Sequence, residues 1–162
     1  VQQVLLNGEN VSGLIRSEEV GNMASAISGY LPVREKLVEL QKELAKRENV
    51  IMDGRDIGTC VLPEAPVKIY LTASVSVRAG RRYKELADRG VRADIKEIER
   101  DIEERDYRDM HREHSPLMQA EDAILLDSSE MTLEEVVRRI FAAAAERGCQ
   151  AAAHALREQE EQ

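Results

Sequence analysis

The 162-residue chain carries a net charge of −8, with 43% hydrophobic, 33% charged and only 3% aromatic residues. That length fits one domain with an aliphatic core, and the acidic balance argues against non-specific binding of nucleic acid or anionic membrane. Two cysteines, Cys60 and Cys149, and three scattered histidines exclude a disulfide framework and a Cys/His metal cluster. In chain order, the apolar run Val1 to Leu6 followed by Asn7-Gly8 predicts a hairpin, continuing as a short ribbon through Asn10 to Ile15. Ser17 caps a helix with acids in its first turn, and Gly29-Tyr30-Leu31-Pro32 breaks it. Pro32 opens the next helix, whose apolar face is Val33, Leu37, Leu40 and Leu44. Strands are expected at Val50–Asp53, Val67–Leu71 and Ala123–Leu126. They alternate with helices at Ser74–Arg89, Asp94–Glu113 and Thr132–Arg147. Strands separated by helices imply an α/β fold with a parallel sheet covered on both faces. The Ala- and Glu-rich tail, 149–162, reads as a frayed helix or a disordered extension.

Two clusters carry the chemistry. The first is Asp53-Gly54-Arg55-Asp56-Ile57-Gly58-Thr59, delivered by the Val50–Asp53 segment to the carboxyl end of a sheet, where ligand crevices open. Its glycines let backbone approach a ligand, and Arg55 offers a planar fork suited to phosphate. A capped turn with a surface salt bridge is the other reading of these seven residues. The second cluster is Arg105-Asp106-Tyr107-Arg108-Asp109-Met110-His111-Arg112, closed by Ser115-Pro116-Leu117. On a helix, Arg105, Asp109 and Arg112 share one face, which can hold phosphate through guanidiniums and a sugar hydroxyl through the carboxylate. A solvated helix with i,i+4 pairs Asp101–Arg105 and Glu104–Arg108 is the alternative.

With Gly8 to Ser12, Ile15-Arg16, Val20 to Ser25, Val33-Arg34, Ala65 to Leu71, Arg78 to Arg82, Pro116-Leu117 and Ala123 to Ser128, these clusters stand in one order. The chain resembles the bacterial cytidylate kinase family from about residue 4 to residue 140. The resemblance implies a parallel-sheet, P-loop nucleoside-monophosphate-kinase fold. Residues 1–48 would be the CMP-binding part, 49–148 the core and lid, and 149–162 a tail. It implies phosphoryl transfer from ATP, with Mg²⁺, to CMP or dCMP. By the same resemblance Ser25, Arg34 and Asp56 would read cytosine, and Arg55 and Arg112 would hold the CMP phosphate. Arg105 and Asp109 would engage the ribose. Arg81 and Arg82, with Arg112, would meet the transferring phosphoryl group, and Asp88-Arg89-Gly90-Val91 would form the lid tip. For Ser25, Arg34 and Arg78 taken singly, a helix-surface hydroxyl, a helix-start cation and a solvated basic face are the plainer readings.

The family's loop G-x-x-x-x-G-K-[ST] does not occur in these 162 residues, which contain no Gly-Lys pair. That loop cradles ATP phosphates and supplies a magnesium-binding hydroxyl. The resemblance is therefore to an amino-terminally truncated member, incomplete at that end of its fold. The chain alone is expected not to phosphorylate CMP. The alternative function is a non-catalytic nucleotide-binding or partner-binding remnant. No apolar run suits a membrane span and no signal peptide opens the chain, so the expected compartment is the cytoplasm. Expected partners are CMP or dCMP and ATP, with no nucleic acid polymer and no membrane. Self-association through an unpaired sheet edge is also expected.

Overall fold

The computed structural model describes residues 3–152, except the side chains of Arg16, Glu18, Asn22 and Ser25. Most of the expected tail, from residue 153 on, lies outside the described residues. The chain divides into two compact units, Val1–Ile51 and Met52–Gln162.

In the first unit, β1 (Leu5–Leu6) pairs antiparallel with β2 (Glu9–Asn10). The hairpin turns on Asn7 and Gly8, with φ of 51° and 87°. Positive φ at both central residues matches the right-handed twist of the strands, which is why Asn-Gly predicts this turn. The ribbon stops at Asn10, short of the expected Ile15. Ser12 takes over, its hydroxyl accepting from the Val4 amide at 2.9 Å, and a 3₁₀ turn follows at Leu14–Arg16.

Helix α1 (Glu18–Ile27) starts as expected, with Ser17 Oγ accepting from the Val20 amide at 3.3 Å. Helix α2 (Leu31–Arg47) has Pro32 in its first turn and Lys46 and Arg47 in its last, where cations suit the helix dipole. Its expected apolar positions Val33, Leu37, Leu40 and Leu44 are all exposed. Periodicity predicted the helix correctly, but it predicts a buried face only where a second surface meets it.

The second unit holds the core. Strand β3 (Ile69–Thr72) pairs parallel with β4 (Ile124–Asp127), with Ile69 opposite Ile124 and Thr72 opposite Asp127. Between them run α3 (Val75–Asp88) and α4 (Ile95–His111), packed on each other, and α5 (Leu133–Glu146) follows β4. Val61, Ala73, Ala79, Leu126 and Val136 are buried, an aliphatic core as the composition required.

Local signals placed these helices. Ser74, Asp94 and Thr132 each cap the following helix, and Thr132 forms a reciprocal capping box with Glu135. Gly90 ends α3 at φ 73°. The Val91 amide bonds Leu86 O and the Gly90 amide bonds Ala87 O, each at 2.9 Å, the two bonds of a Schellman motif.

Two expectations about the sheet are corrected. Val50–Asp53 is not a strand: it pairs with no described segment, and Ile51 is fully exposed. A short apolar run is compatible with a strand, but only ladder hydrogen bonds from a neighbour make it one. Nor is the sheet covered on both faces, since Leu71 and Leu125 are each more than half exposed.

Candidate active site

The Asp53–Thr59 run does not stay a simple loop. Beyond Asp56 the chain coils into one wide turn, Ile57–Val61, of the π type. The Asp56 carbonyl accepts from the amides of Thr59, Cys60 and Val61, at 3.3, 2.8 and 3.3 Å. This coil holds Asp56 buried at 8% exposure while Asp53 stays exposed. Wide turns of this kind are frequent at functional sites.

The glycines serve the coil rather than an open approach. A Cβ on Gly54 would lie 2.8 Å from Ile57 Cγ1, and one on Gly58 would lie 3.2 Å from Lys68 Cδ. Lys68, nearly buried, donates to Pro63 O and pairs with Asp122 at 2.7 Å.

The turn and the end of α4 meet through two cation–carboxylate pairs. Arg55 Nε donates to Asp109 Oδ2 at 2.7 Å. Arg112 Nη2 lies 3.7 Å from Asp56 Oδ1, and Arg112 Nε donates to Ser115 O at 2.6 Å. The Arg112 Nη2 atom is buried and has no hydrogen-bond partner. A buried guanidinium N–H without an acceptor is costly, and it suits a group that receives an anion.

The single helical face expected for Arg105, Asp109 and Arg112 needs correction. Helix α4 stops at His111, and Arg112 has extended backbone (φ −66°, ψ 145°). Leaving the helix turns its guanidinium towards Asp56 and Ser115. Arg105 is exposed and makes no ion pair among the described residues. The alternative pairs Asp101–Arg105 and Glu104–Arg108 do not form among the described residues either; Arg108 Nε donates instead to the Glu104 carbonyl at 3.4 Å.

The arginines of α3 each have a separate partner. Arg81 donates to Ser128 Oγ and Ser128 O at 3.2 and 2.6 Å, so its guanidinium lies at the carboxyl end of β4. Arg82 donates to Glu85 at 2.8 Å. Hydrogen bonding from Arg82 is the main cause holding the Glu85 carboxyl below its ordinary pKa. Arg78 is not a solvated cation: it forms a bidentate pair with Asp106. The crowding of Arg78 and Arg82 one helical turn apart is thus relieved by a separate carboxylate for each.

Arg34 lies in the first turn of α2 and Ser25 in α1, both in the first unit, while the other named residues belong to the second. The Ser25 side chain is outside the described residues. The sequence does not show Asp106, Glu85, Ser115 and Ser128 as partners of these arginines, although Ser115 stands in the helix stop that closes the second cluster. Asp106 stood inside the second cluster, three residues before Asp109, but nothing in linear spacing links it to Arg78.

Two arginine–carboxylate pairs, Arg55 with Asp109 and Arg112 with Asp56, thus join the Asp53–Thr59 turn to the end of α4 in a unit built on a parallel strand pair. The family model described as "Cytidylate kinase" matches residues 1–146. Curated cytidylate kinases are similar over most of this chain. That of Lactobacillus gasseri is 53% identical over 139 residues, 86% of this chain and 60% of the relative. That of Leuconostoc mesenteroides is 52% identical over 140 residues, 86% of this chain and 62% of the relative. That of Cupriavidus necator is 50% identical over 139 residues, 86% of this chain and 63% of the relative. The chain belongs to the cytidylate kinase family, and its mixed α/β structure with a parallel strand pair agrees with the nucleoside-monophosphate-kinase fold. It spans about three-fifths of the length of these relatives. No helix among the described residues is long and apolar enough to cross a membrane.

Proposed function

We propose that this chain carries the acceptor-nucleotide side of a kinase that transfers a phosphoryl group from ATP to CMP or dCMP, giving CDP or dCDP. The observation that supports it is the pairing of Arg55 with Asp109 and of Arg112 with Asp56 within one unit. Each pair joins a guanidinium fit for phosphate to a carboxylate fit for a hydroxyl or an amino group. Arg55 and Arg112 take the CMP phosphate, and the Nη2 of Arg112, ion-paired with Asp56 but without a hydrogen bond, offers it a donor. Asp109, with Arg105, accepts from the ribose hydroxyls. Asp56 reads cytosine. The cytosine N4 amino group donates to the carboxylate, whereas uracil presents an acceptor there and is repelled.

Phosphoryl transfer needs positioning and charge neutralisation more than covalent help. Arg81 and Arg82 supply positive charge towards the transferring group. Mg²⁺ with ATP supplies further charge neutralisation in the family's reaction. Among the described residues no three His, Cys, Asp or Glu side chains gather as a metal set.

The test is titration of the 162-residue chain with CMP, UMP and cytidine. CMP is expected to bind more tightly than UMP, and Asp56→Asn to narrow that ratio because an amide can donate to uracil O4. Asp56 also faces Arg112, so cytidine serves as the phosphate-free control and is expected to weaken in the same variant. An unchanged CMP/UMP ratio in Asp56→Asn removes Asp56 from the base site. Absence of CMP binding by the parent chain overturns the acceptor-site reading.

A further inference from the structure

The Arg78–Asp106 pair is the best-formed ion pair of the second unit, and the site described above does not use it. Arg78 Nη1 and Nη2 donate to the two Asp106 oxygens at 3.0 and 2.5 Å. Arg78 Nε donates to Ala73 O at 3.0 Å. Ala73 follows directly on β3, Arg78 sits in the first turn of α3, and Asp106 lies near the end of α4. One planar group therefore ties three elements together. Two parallel N–H···O bonds fix the rotation of α4 about its axis as well as its distance, which a point charge cannot do.

Both side chains are partly open to water, at 34% and 27%. A partly solvated pair contributes little to stability, so its main consequence is geometric. Asp109 lies three residues beyond Asp106, on the same side of α4, and receives Arg55. Arg112 leaves the helix one residue after its end. Its Nε is held by Ser115 O just beyond the helix, so the placement of the helix end bears on the distance between its Nη2 and Asp56.

We propose that Arg78 and Asp106 are positioning residues, a clamp that fixes α4 so that Asp109 meets Arg55 and Arg112 meets Asp56. Its bonds run to Ala73 O and between its own two side chains. Its effect on CMP rests on the acceptor-site reading above; its effect on Arg55 does not.

The experiment follows the Arg55 Nε–H resonance in the ¹⁵N-labelled 162-residue chain, assigned by its loss in Arg55→Lys, together with CMP affinity. Asp106→Asn removes the second carboxylate oxygen. Arg78→Lys keeps the charge and removes the fork. Both are expected to move or broaden the Arg55 signal and to weaken CMP by about tenfold, the scale of a small misplacement of binding groups. Lys96→Ala, which breaks the Lys96–Glu99 pair at the start of α4 and spares the clamp, is the control and should change neither.

An Arg55 signal that stays put in both variants, or moves as much in the control, overturns the clamp. A moved signal with unchanged CMP affinity overturns its service to the site. If Asp106→Asn does not fold, Arg78→Lys decides by the same signal. If the parent chain does not bind CMP, the acceptor-site reading fails, and the Arg55 signal still decides the clamp.

Discussion

Arg55 and Asp109, 54 positions apart in sequence, are joined by a 2.7 Å hydrogen bond from Nε to Oδ2. The bond joins the turn after Met52 to the last part of α4. The Arg55 side chain is 40% exposed and that of Asp109 17%, so water screens the pair in part. A double-mutant cycle with Arg55→Ala and Asp109→Ala, read by urea denaturation, is expected to give a coupling of about 0.5–1 kcal/mol. A coupling indistinguishable from zero would mean that the two groups do not hold each other in solution.

Two glycines of the α3 region should respond in opposite directions to the same substitution. Gly80 lies inside α3, and a Cβ there meets nothing within 4 Å. Gly80→Ala should stabilise the protein by roughly 0.5–1 kcal/mol, because alanine loses less backbone entropy in a helix. Gly90 sits at φ 73°, and its Cβ also meets open space, so only backbone strain opposes a side chain. Gly90→Ala should cost about 1 kcal/mol. Thermal midpoints of the two variants should fall on either side of the parent. A fall for Gly80→Ala contradicts the open space around it.

Acid should separate one ion pair from the rest. The hydrogen bond from Lys68 is the main cause holding the Asp122 carboxyl below its ordinary value of 3.8. A depressed carboxylate contributes stability that is present above its unfolded pKa and is lost as pH falls through the lower folded value. The stability difference between the parent and Asp122→Asn should therefore be flat above about pH 5 and shrink only below about pH 3.8. Chemical denaturation at a series of pH values measures it. A difference that vanishes near neutral pH would assign the effect to another group.

Asp127 offers a spectroscopic check in the same pH range. Hydrogen bonds from the Ser129 side chain and backbone lower its pKa, the side-chain bond first. The Ser129 hydroxyl donates to Asp127 Oδ1 at 2.6 Å. Ser129→Ala should raise the Asp127 pKa towards its ordinary 3.8, followed by carboxyl NMR titration. A titration that does not move would show that the hydroxyl bond has no weight in solution.

What the sequence determined by itself was local. Asn7-Gly8 specified a hairpin, Ser17, Ser74, Asp94 and Thr132 specified helix starts, and Gly90 specified a helix end. Each acts within a few residues, through one side-chain cap or one positive φ, so its partner is already present in the linear pattern. The motif resemblance also brought Arg55, Asp56, Asp109 and Arg112 onto one short list. Tertiary structure alone decided how they pair. It joined Arg55 to Asp109 rather than to its neighbour Asp56, and it turned Arg112 off the end of α4. It gave Arg78 the carboxylate of Asp106, 28 positions away. It left Val50–Asp53 without a ladder and the apolar side of α2 exposed. Hydrogen-bonded strands, buried faces and bidentate ion pairs each require a second surface brought from elsewhere in the chain, and no spacing of residues along one segment contains that surface.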